Sequence, residues 1–178
     1  METINQQDII KRISVDRNGF VFFWNKKVLR AIYPAREQYV QELFDCGLID
    51  DLVRHRLFPT TTRTEYTIEQ SSMVLEHERI SPVLAPENWS FEMLKDACLC
   101  LLKVNEIASK YGYSTIDAHG YNILFHHNEP MFVDLGSFIK SETVKPGKLK
   151  GWRALREFVD MMYVPLKLKS KNWVWFPG

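Results

Sequence analysis

The chain has 178 residues, of which 46% are hydrophobic and 25% are charged, and its net charge is +1. This composition excludes a disordered chain, and the balanced charge gives no reason to expect nucleic acid or an anionic membrane as a partner. The longest apolar runs are too short to span a bilayer, and the N-terminus lacks the features of a signal peptide. Cys46, Cys98 and Cys100 match neither a disulfide framework nor a zinc site. The sequence therefore predicts a soluble, cytoplasmic protein with reduced cysteines.

The first half of the chain predicts a small antiparallel sheet with one helix. Turn signals at 16–19 and 25–27 flank runs of aromatic and β-branched residues, so the segment 13–32 predicts a meander of short strands. Apolar residues then recur every three or four positions from Ala35 to about Arg56, which predicts a helix that Gly47 interrupts. Two further strands are expected, at 64–69 and 73–77.

The second half predicts a long helix, a polar loop, a hairpin and a final helix. Ser90 is a suitable N-cap for the long helix, whose apolar face runs from Phe91 to Tyr111, and Gly112 ends it. The elements expected after it are a polar loop at 114–121, hairpin strands at 122–125 and 131–134 joined by the loop 126–130, and an amphipathic helix from Trp152 to about Tyr163.

Three oxygen-bearing side chains in and after the polar loop suggest chemistry. Asp117 and Asn122 are five positions apart, and Asp134 ends the second hairpin strand. Because a hairpin returns its chain to where it began, we expect Asp134 to lie near Asn122. A carboxylate and an amide oxygen suit Mg²⁺, which keeps waters and substrate phosphates as its other ligands. Asp117 could accept a proton from an attacking hydroxyl.

Structural roles remain open for the same residues. Asp117 and Asn122 could be loop caps, because both residue types bond to local backbone in turns. His119 could contact a phosphate or fix the loop, and Arg30 could be a cation on the surface of a strand. His126 and His127, at the tip of the hairpin, are expected to be solvated.

The pattern Asp117-x-x-x-x-Asn122, strand, turn, strand and Asp134-x-Gly136 resembles the catalytic and metal-binding loops of the protein-kinase-like fold. It is especially similar to the aminoglycoside and choline phosphotransferase branch. It resembles still more closely a kinase-like region upstream of the methyltransferase domain in some bacterial SAM-dependent methyltransferases. The residues that match this region are Pro86-Glu87-Asn88-Trp89-Ser90, Asp117-Ala118 with Tyr121-Asn122, and Phe132-Val133-Asp134-Leu135-Gly136-Ser137-Phe138. The resemblance is dense from Leu75 to Leu166.

This resemblance implies an α+β, protein-kinase-like fold. Residues 1–80 would form a small antiparallel sheet lobe, and residues 81–178 a reduced, mainly helical lobe that carries the loop and the hairpin. Asp117 is implied as the catalytic residue, and Asn122 and Asp134 as the ligands of Mg²⁺ on bound ATP.

The resemblance also implies residues that contact the nucleotide. Arg30 stands where such folds have a lysine on the third strand, and arginine is not a conservative replacement for it. Glu42, or alternatively Glu37, is implied as its partner on the following helix, and His119 as a residue close to the phosphates. The backbone of residues 75–78 would be the hinge that meets an adenine.

The implied function is a nucleotide- and Mg²⁺-binding phosphotransferase-type domain that acts on an unknown hydroxyl-bearing acceptor. The alternative is a non-catalytic, pseudokinase-like module that scaffolds or regulates a methyltransferase domain or partner. Asp117, Asn122 and Asp134 favour the first. The lack of a glycine-rich phosphate loop before the Arg30 strand, and the replacement of the expected lysine by Arg30, favour the second. The 42 residues that follow Gly136, fewer than a complete kinase-like fold usually needs, also favour it. No glycine-rich SAM-binding segment is present, so methyltransferase activity is not expected in this chain.

Overall fold

The computed structural model describes residues 2–12, 16–141, 145 and 147–171. The chain divides into a sheet unit, Met1–Val53 with Pro59–Arg79, and a helical unit, Arg54–Phe58 with Ile80–Gly178. The predicted α+β class with a small antiparallel sheet is confirmed. Within the described residues, no helix is both long enough and apolar enough to cross a membrane. Residues 13–15, at the start of the predicted meander, lie outside the described residues.

The described part of the sheet unit contains seven strands. They are β1 (Glu2–Ile4), β2 (Ile10–Lys11), β3 (Gly19–Trp24), β4 (Lys27–Ile32), β5 (Thr61–Arg63), β6 (Tyr66–Ile68) and β7 (Met73–His77). Five of them form an antiparallel sheet in the order β2-β3-β4-β7-β5. The strand expected at 64–69 is present as β6, but it pairs in parallel with β1 and lies outside this sheet.

Alternation along β3 and β4 divides the sheet into two faces. Phe22, Leu29 and Ala31 are fully buried on one face, in a cluster that includes Ile4 and Ile68. Successive side chains of a strand point to opposite faces, so Arg30 lies on the other face. There the register places Arg30 opposite Leu75, and Val28 opposite His77.

The predicted helix of the first half is confirmed, together with its interruption. It consists of α1 (Glu37–Asp45) and α2 (Leu48–Arg54). Gly47 lies between them with a φ of 85°, a conformation that glycine adopts without steric cost.

The long helix of the second half, α3 (Phe91–Lys110), begins and ends as predicted. The Ser90 Oγ accepts a hydrogen bond from the Met93 N–H at 3.2 Å, which satisfies one of the free amides of the first turn. Gly112 follows the helix in the left-handed region, with a φ of 77°. Leu101, Val104 and other apolar side chains of the predicted face are buried.

The predicted polar loop at 114–121 is shorter than expected. Its first residues belong to a strand, β8 (Tyr113–Thr115), which pairs with a later strand that the pattern did not indicate. The hairpin is confirmed, but its turn has only two residues, His127 and Asn128, both with positive φ, as the twist of a tight hairpin requires. The remaining strands are β9 (Ile123–His126), β10 (Glu129–Phe132) and β11 (Phe138–Lys140).

The final helical segment starts later and runs further than the predicted 152–163. It comprises α4 (Leu155–Phe158), a π-helical turn (Val159–Tyr163) and α5 (Val164–Lys169). The Val164 N–H bonds to the Val159 carbonyl, five residues back. Pro165 has no N–H to donate, so the regular α-helical ladder is interrupted at this point.

Candidate functional site

The hairpin brings Asn122 and Asp134 together, as its geometry predicts. The Asn122 Nδ2 lies 3.4 Å from the Asp134 Oδ2, and the Val133 N–H donates to the Asn122 carbonyl at 2.9 Å. The other carboxylate oxygen, Oδ1, accepts the Gly136 N–H at 3.0 Å and caps the short turn Leu135–Ser137. The side chains of both residues are half-buried.

The chemistry of this pair fits Mg²⁺. A carboxylate and an amide are hard oxygen ligands, and a half-turn of the Asn122 side chain would present its oxygen in place of its nitrogen. Across the described residues, no group of three or more His, Cys, Asp or Glu side chains could hold a metal ion. Asn122 and Asp134 could supply two oxygen ligands to such an ion.

Asp117 differs from Asp134 in how its carboxylate is used. A capping aspartate accepts a nearby backbone N–H, and Asp134 does so. The Asp117 carboxylate receives no hydrogen bond from the described part of the chain, whereas its backbone N–H and C=O both bond to the Ser137 hydroxyl, at 3.1 and 3.4 Å. Loop capping thus accounts for one oxygen of Asp134 and does not account for Asp117.

Ser137 and Glu157 hold the backbone around Asp117, and the sequence assigned a role to neither of them. Ser137 is fully buried, and its hydroxyl also accepts the Ile116 N–H at 3.2 Å. The Glu157 Oε2, on α4, accepts the Ala118 N–H at 2.6 Å. The only sequence signal was the position of Ser137 directly after Gly136, because Glu157 lies among other polar residues of an amphipathic helix.

The loop packs against the turn Pro86–Asn88, which precedes α3. A Cβ on Gly120 would lie 2.9 Å from the Pro86 ring, so only glycine fits there without a shift. The Tyr121 hydroxyl donates to the Glu87 carboxylate, which lowers the pKa of Glu87 and raises the pKa of Tyr121. These contacts join the loop to the turn that precedes α3.

His119 lies within this loop and is half-buried. Its Nδ1 has no hydrogen-bond partner among the described residues, and the centre of its ring is 6.1 Å from that of Tyr121. The ring contact with Tyr121 lies within the loop, so a structural role for His119 remains open alongside a contact with a phosphate.

In the sheet unit, Arg30 is 6% exposed and forms an ion pair with Asp16. Its Nε lacks a hydrogen-bond partner within the described residues. Asp16 also accepts the Asn18 N–H at 2.8 Å, so it is both a turn residue and the partner of Arg30. Glu42, the partner suggested by the sequence, lies on α1, where its Oε1 accepts a hydrogen bond from Gln38 at 3.3 Å.

His77, at the end of β7, is buried and neutral. The Thr61 hydroxyl donates to the Pro59 carbonyl at 2.9 Å, so its bond of 2.8 Å to the His77 Nδ1 places the proton on that nitrogen. Burial, together with the charge of Arg30, lowers the pKa of His77 from 6.5 to about 3. The end of β7 also lines a cavity of about 390 Å³, together with Lys27, whose Nζ lies 2.8 Å from the Glu76 carboxylate.

No model of a known protein family matches the sequence. The chain is similar to nodulation protein NoeA from Rhizobium meliloti (strain 1021), with 27% identity over 164 residues. The matched part is 87% of this chain and 32% of NoeA, so the chain spans about a third of the length of this curated relative. NoeA is therefore a distant and partial relative of this chain.

Proposed function

We propose that this chain is a kinase-like, nucleotide- and Mg²⁺-binding phosphotransferase-type module that acts in the cytoplasm. The observation that carries the proposal is the distance of 3.4 Å between the Asn122 amide and the Asp134 carboxylate. Asp134 caps the turn Leu135–Ser137, and the Ser137 hydroxyl of that turn bonds to the backbone of Asp117. Bound Mg²⁺ would supply neutralisation of charge on the phosphates. Asn122 and Asp134 would hold it, and Asp117 would orient the acceptor hydroxyl and accept its proton.

The arrangement of the sheet unit supports this proposal. In chain order β4 is the third strand of the five-stranded sheet, and helices α1 and α2 follow it. Kinases carry the cation that pairs with phosphates on their third strand, and its glutamate partner on the next helix. Arg30 lies on β4 and Glu42 on α1. The expected lobes at 1–80 and 81–178 are part of the proposal; the chain divides near residue 79, with Arg54–Phe58 assigned to the helical unit.

Thermal unfolding with ATP and Mg²⁺ tests the proposal. A ligand at 100 times its dissociation constant stabilises a protein by about 2.7 kcal/mol, so a rise in Tm is expected. Asp134→Asn should abolish the dependence of that rise on Mg²⁺. Asp160→Asn, at an exposed position of the π-helical turn, is the matched control and should retain it. No change in Tm at millimolar nucleotide would refute nucleotide binding, and a Mg²⁺ dependence that survives Asp134→Asn would refute the metal assignment.

A second candidate is a non-catalytic module that scaffolds or regulates a methyltransferase domain or partner. The observation that favours it is the buried ion pair of Arg30, since a phosphate would have to displace the Asp16 carboxylate. The length of NoeA outside the matched part also leaves room for another domain in the relative.

Binding of a fluorescent ATP analogue to the wild type and to Asp16→Asn separates the two candidates. The phosphotransferase candidate predicts tighter binding by the variant, because Arg30 is released to pair with phosphate. The non-catalytic candidate predicts that neither protein binds. Asp45→Asn, which removes an exposed carboxylate paired with Arg63, should leave the affinity unchanged.

A further inference from the structure

The hydroxyl of Ser137 forms three hydrogen bonds, all to backbone groups of Ile116 and Asp117. It accepts the N–H groups of Ile116 and Asp117, at 3.2 and 3.1 Å, and donates to the Asp117 carbonyl at 3.4 Å. A serine hydroxyl has one proton and two lone pairs, so these three bonds take up its whole capacity. The residue has no exposed surface, and water cannot replace these bonds.

These bonds begin where the β8–β11 ladder stops. The last pair of that ladder is Thr115 with Phe138. The Ile116 N–H has a second acceptor, the Ser137 carbonyl at 3.0 Å. The Asp117 N–H has no acceptor besides the Ser137 hydroxyl among the described residues. The Ser137 side chain thus continues the hydrogen bonding between β8 and β11 as far as Asp117, the residue proposed to accept the proton.

The same serine is also joined to the proposed metal ligand. Its own N–H donates to the Asp134 carbonyl at 3.3 Å, so one residue links the backbones of Asp117 and Asp134. Since no described residue bonds to the Asp117 carboxylate, only the backbone and the packing around it determine where that carboxylate points. A displacement of about 1 Å in such a group can cost about 100-fold in rate.

We propose that Ser137 is a positioning residue, which sets the place of the Asp117 carboxylate relative to Asp134 through its hydroxyl. This inference rests on the proposed phosphotransferase function. In that reaction the acceptor oxygen forms a bond to the γ-phosphorus, the bond to the bridging oxygen breaks with its electron pair leaving on ADP, and the acceptor proton passes to Asp117. Ser137 contacts none of the reacting atoms.

The test uses hydrolysis of Mg²⁺-ATP, with water as the acceptor, because the natural acceptor is unidentified. Ser137→Ala is expected to lower kcat by 10- to 100-fold, while the dissociation constant for Mg²⁺-ATP changes less than twofold. Ser109→Ala is the matched control, because Ser109 is also buried and its hydroxyl also donates to a backbone carbonyl, that of Glu106 on α3. It should leave kcat unchanged.

A double-mutant cycle with Asp117→Asn separates positioning from a general structural effect. If Ser137 acts through the Asp117 carboxylate, Ser137→Ala causes no further loss once that carboxylate is gone. Losses that multiply in the double variant would overturn the proposal. Hydrogen exchange should show lost protection at the Asp117 amide and not throughout the helical unit. Ser137→Cys, whose thiol is larger than the hydroxyl but keeps a weak donor, provides a second variant if the alanine variant does not fold.

The outcomes distinguish the two proposals. Wild-type hydrolysis with an unchanged kcat in Ser137→Ala overturns the positioning role alone. Binding of Mg²⁺-ATP without hydrolysis overturns it as well, because no nucleophile is then positioned. A wild type that neither binds nor hydrolyses the nucleotide refutes the proposed function, and the positioning role with it.

Discussion

The ion pair between Arg30 and Asp16 allows a quantitative test of how the sheet unit tolerates a buried charge. The side chains are only 7% and 13% exposed. Asp16→Ala would leave the Arg30 guanidinium buried without its counter-ion. Removing one partner of a buried pair costs about 3–5 kcal/mol, because the remaining charge is desolvated and uncompensated. The lost acceptor for the Asn18 N–H adds about 1 kcal/mol.

Replacing both partners should cost much less. Buried pairs exchanged for apolar side chains of similar volume are often neutral or even stabilising, by about 1–4 kcal/mol. The double variant Asp16→Leu/Arg30→Met should therefore be more stable than Asp16→Ala, although it also lacks the turn bond to Asn18. We therefore expect Asp16→Ala to be the least stable of the three proteins, below both the wild type and the double variant.

Urea denaturation followed by circular dichroism measures these differences as free energies of unfolding. The matched control is Asp45→Ala, which breaks the pair with Arg63, whose side chains are 59% and 37% exposed. Exposed pairs contribute at most about 1 kcal/mol. If Asp16→Ala costs no more than Asp45→Ala, or if the double variant is the least stable, the reasoning from buried charge is wrong.

Three further predictions concern single positions. Gly120→Ala should lower the free energy of unfolding by about 1–3 kcal/mol, because its Cβ would lie 2.9 Å from Pro86; an unchanged urea midpoint would contradict this packing. The folded-state pKa of His77, about 3, lies below the ordinary 6.5, so the unfolded state binds the proton first and stability falls as the pH drops from about 6.5 towards 3. In a series of urea midpoints measured at different pH, His77→Gln should make this loss of stability smaller. A loss as large as that of the wild type would show that His77 is not its cause. Ser90→Ala should cost about 1 kcal/mol in the same assay, because the Met93 N–H loses its cap, and no loss would show that the cap is dispensable.

Local signals in the sequence predicted the elements that depend on a few neighbouring residues. Ser90 and Gly112 bound α3 because capping and left-handed glycine act within one turn of helix. Turn signals and runs of aromatic and β-branched residues predicted β3 and β4, and β7 was also expected as a strand. The partner of β6 was beyond such reasoning, because the pattern of residues 64–69 indicates a half-buried strand and carries no information about which strand pairs with it.

The same limit applies to the candidate site. The short distance between Asn122 and Asp134 was predictable, because the two residues lie at the ends of the two paired strands of one hairpin. The bonds of Ser137 and Glu157 to the Asp117 loop cross 20 and 39 residues, and a serine or a glutamate at such positions resembles many others. Asp16 was interpreted only as a turn residue, because the pattern Asp16–Gly19 is sufficient to explain an aspartate there. The pattern gives no sign that the same carboxylate also pairs with Arg30.

The parallel pairing of β1 with β6 has a consequence for the order in which the chain can fold during synthesis. Glu2 pairs with Tyr66, 64 residues later. At about 5–20 residues per second, roughly 3–13 s pass between the synthesis of the two strands. During that interval Ile4 has no β6 to pack with, whereas the β3–β4 hairpin needs only a two-residue turn. β1 is therefore among the last strands of the sheet unit to acquire its native partner.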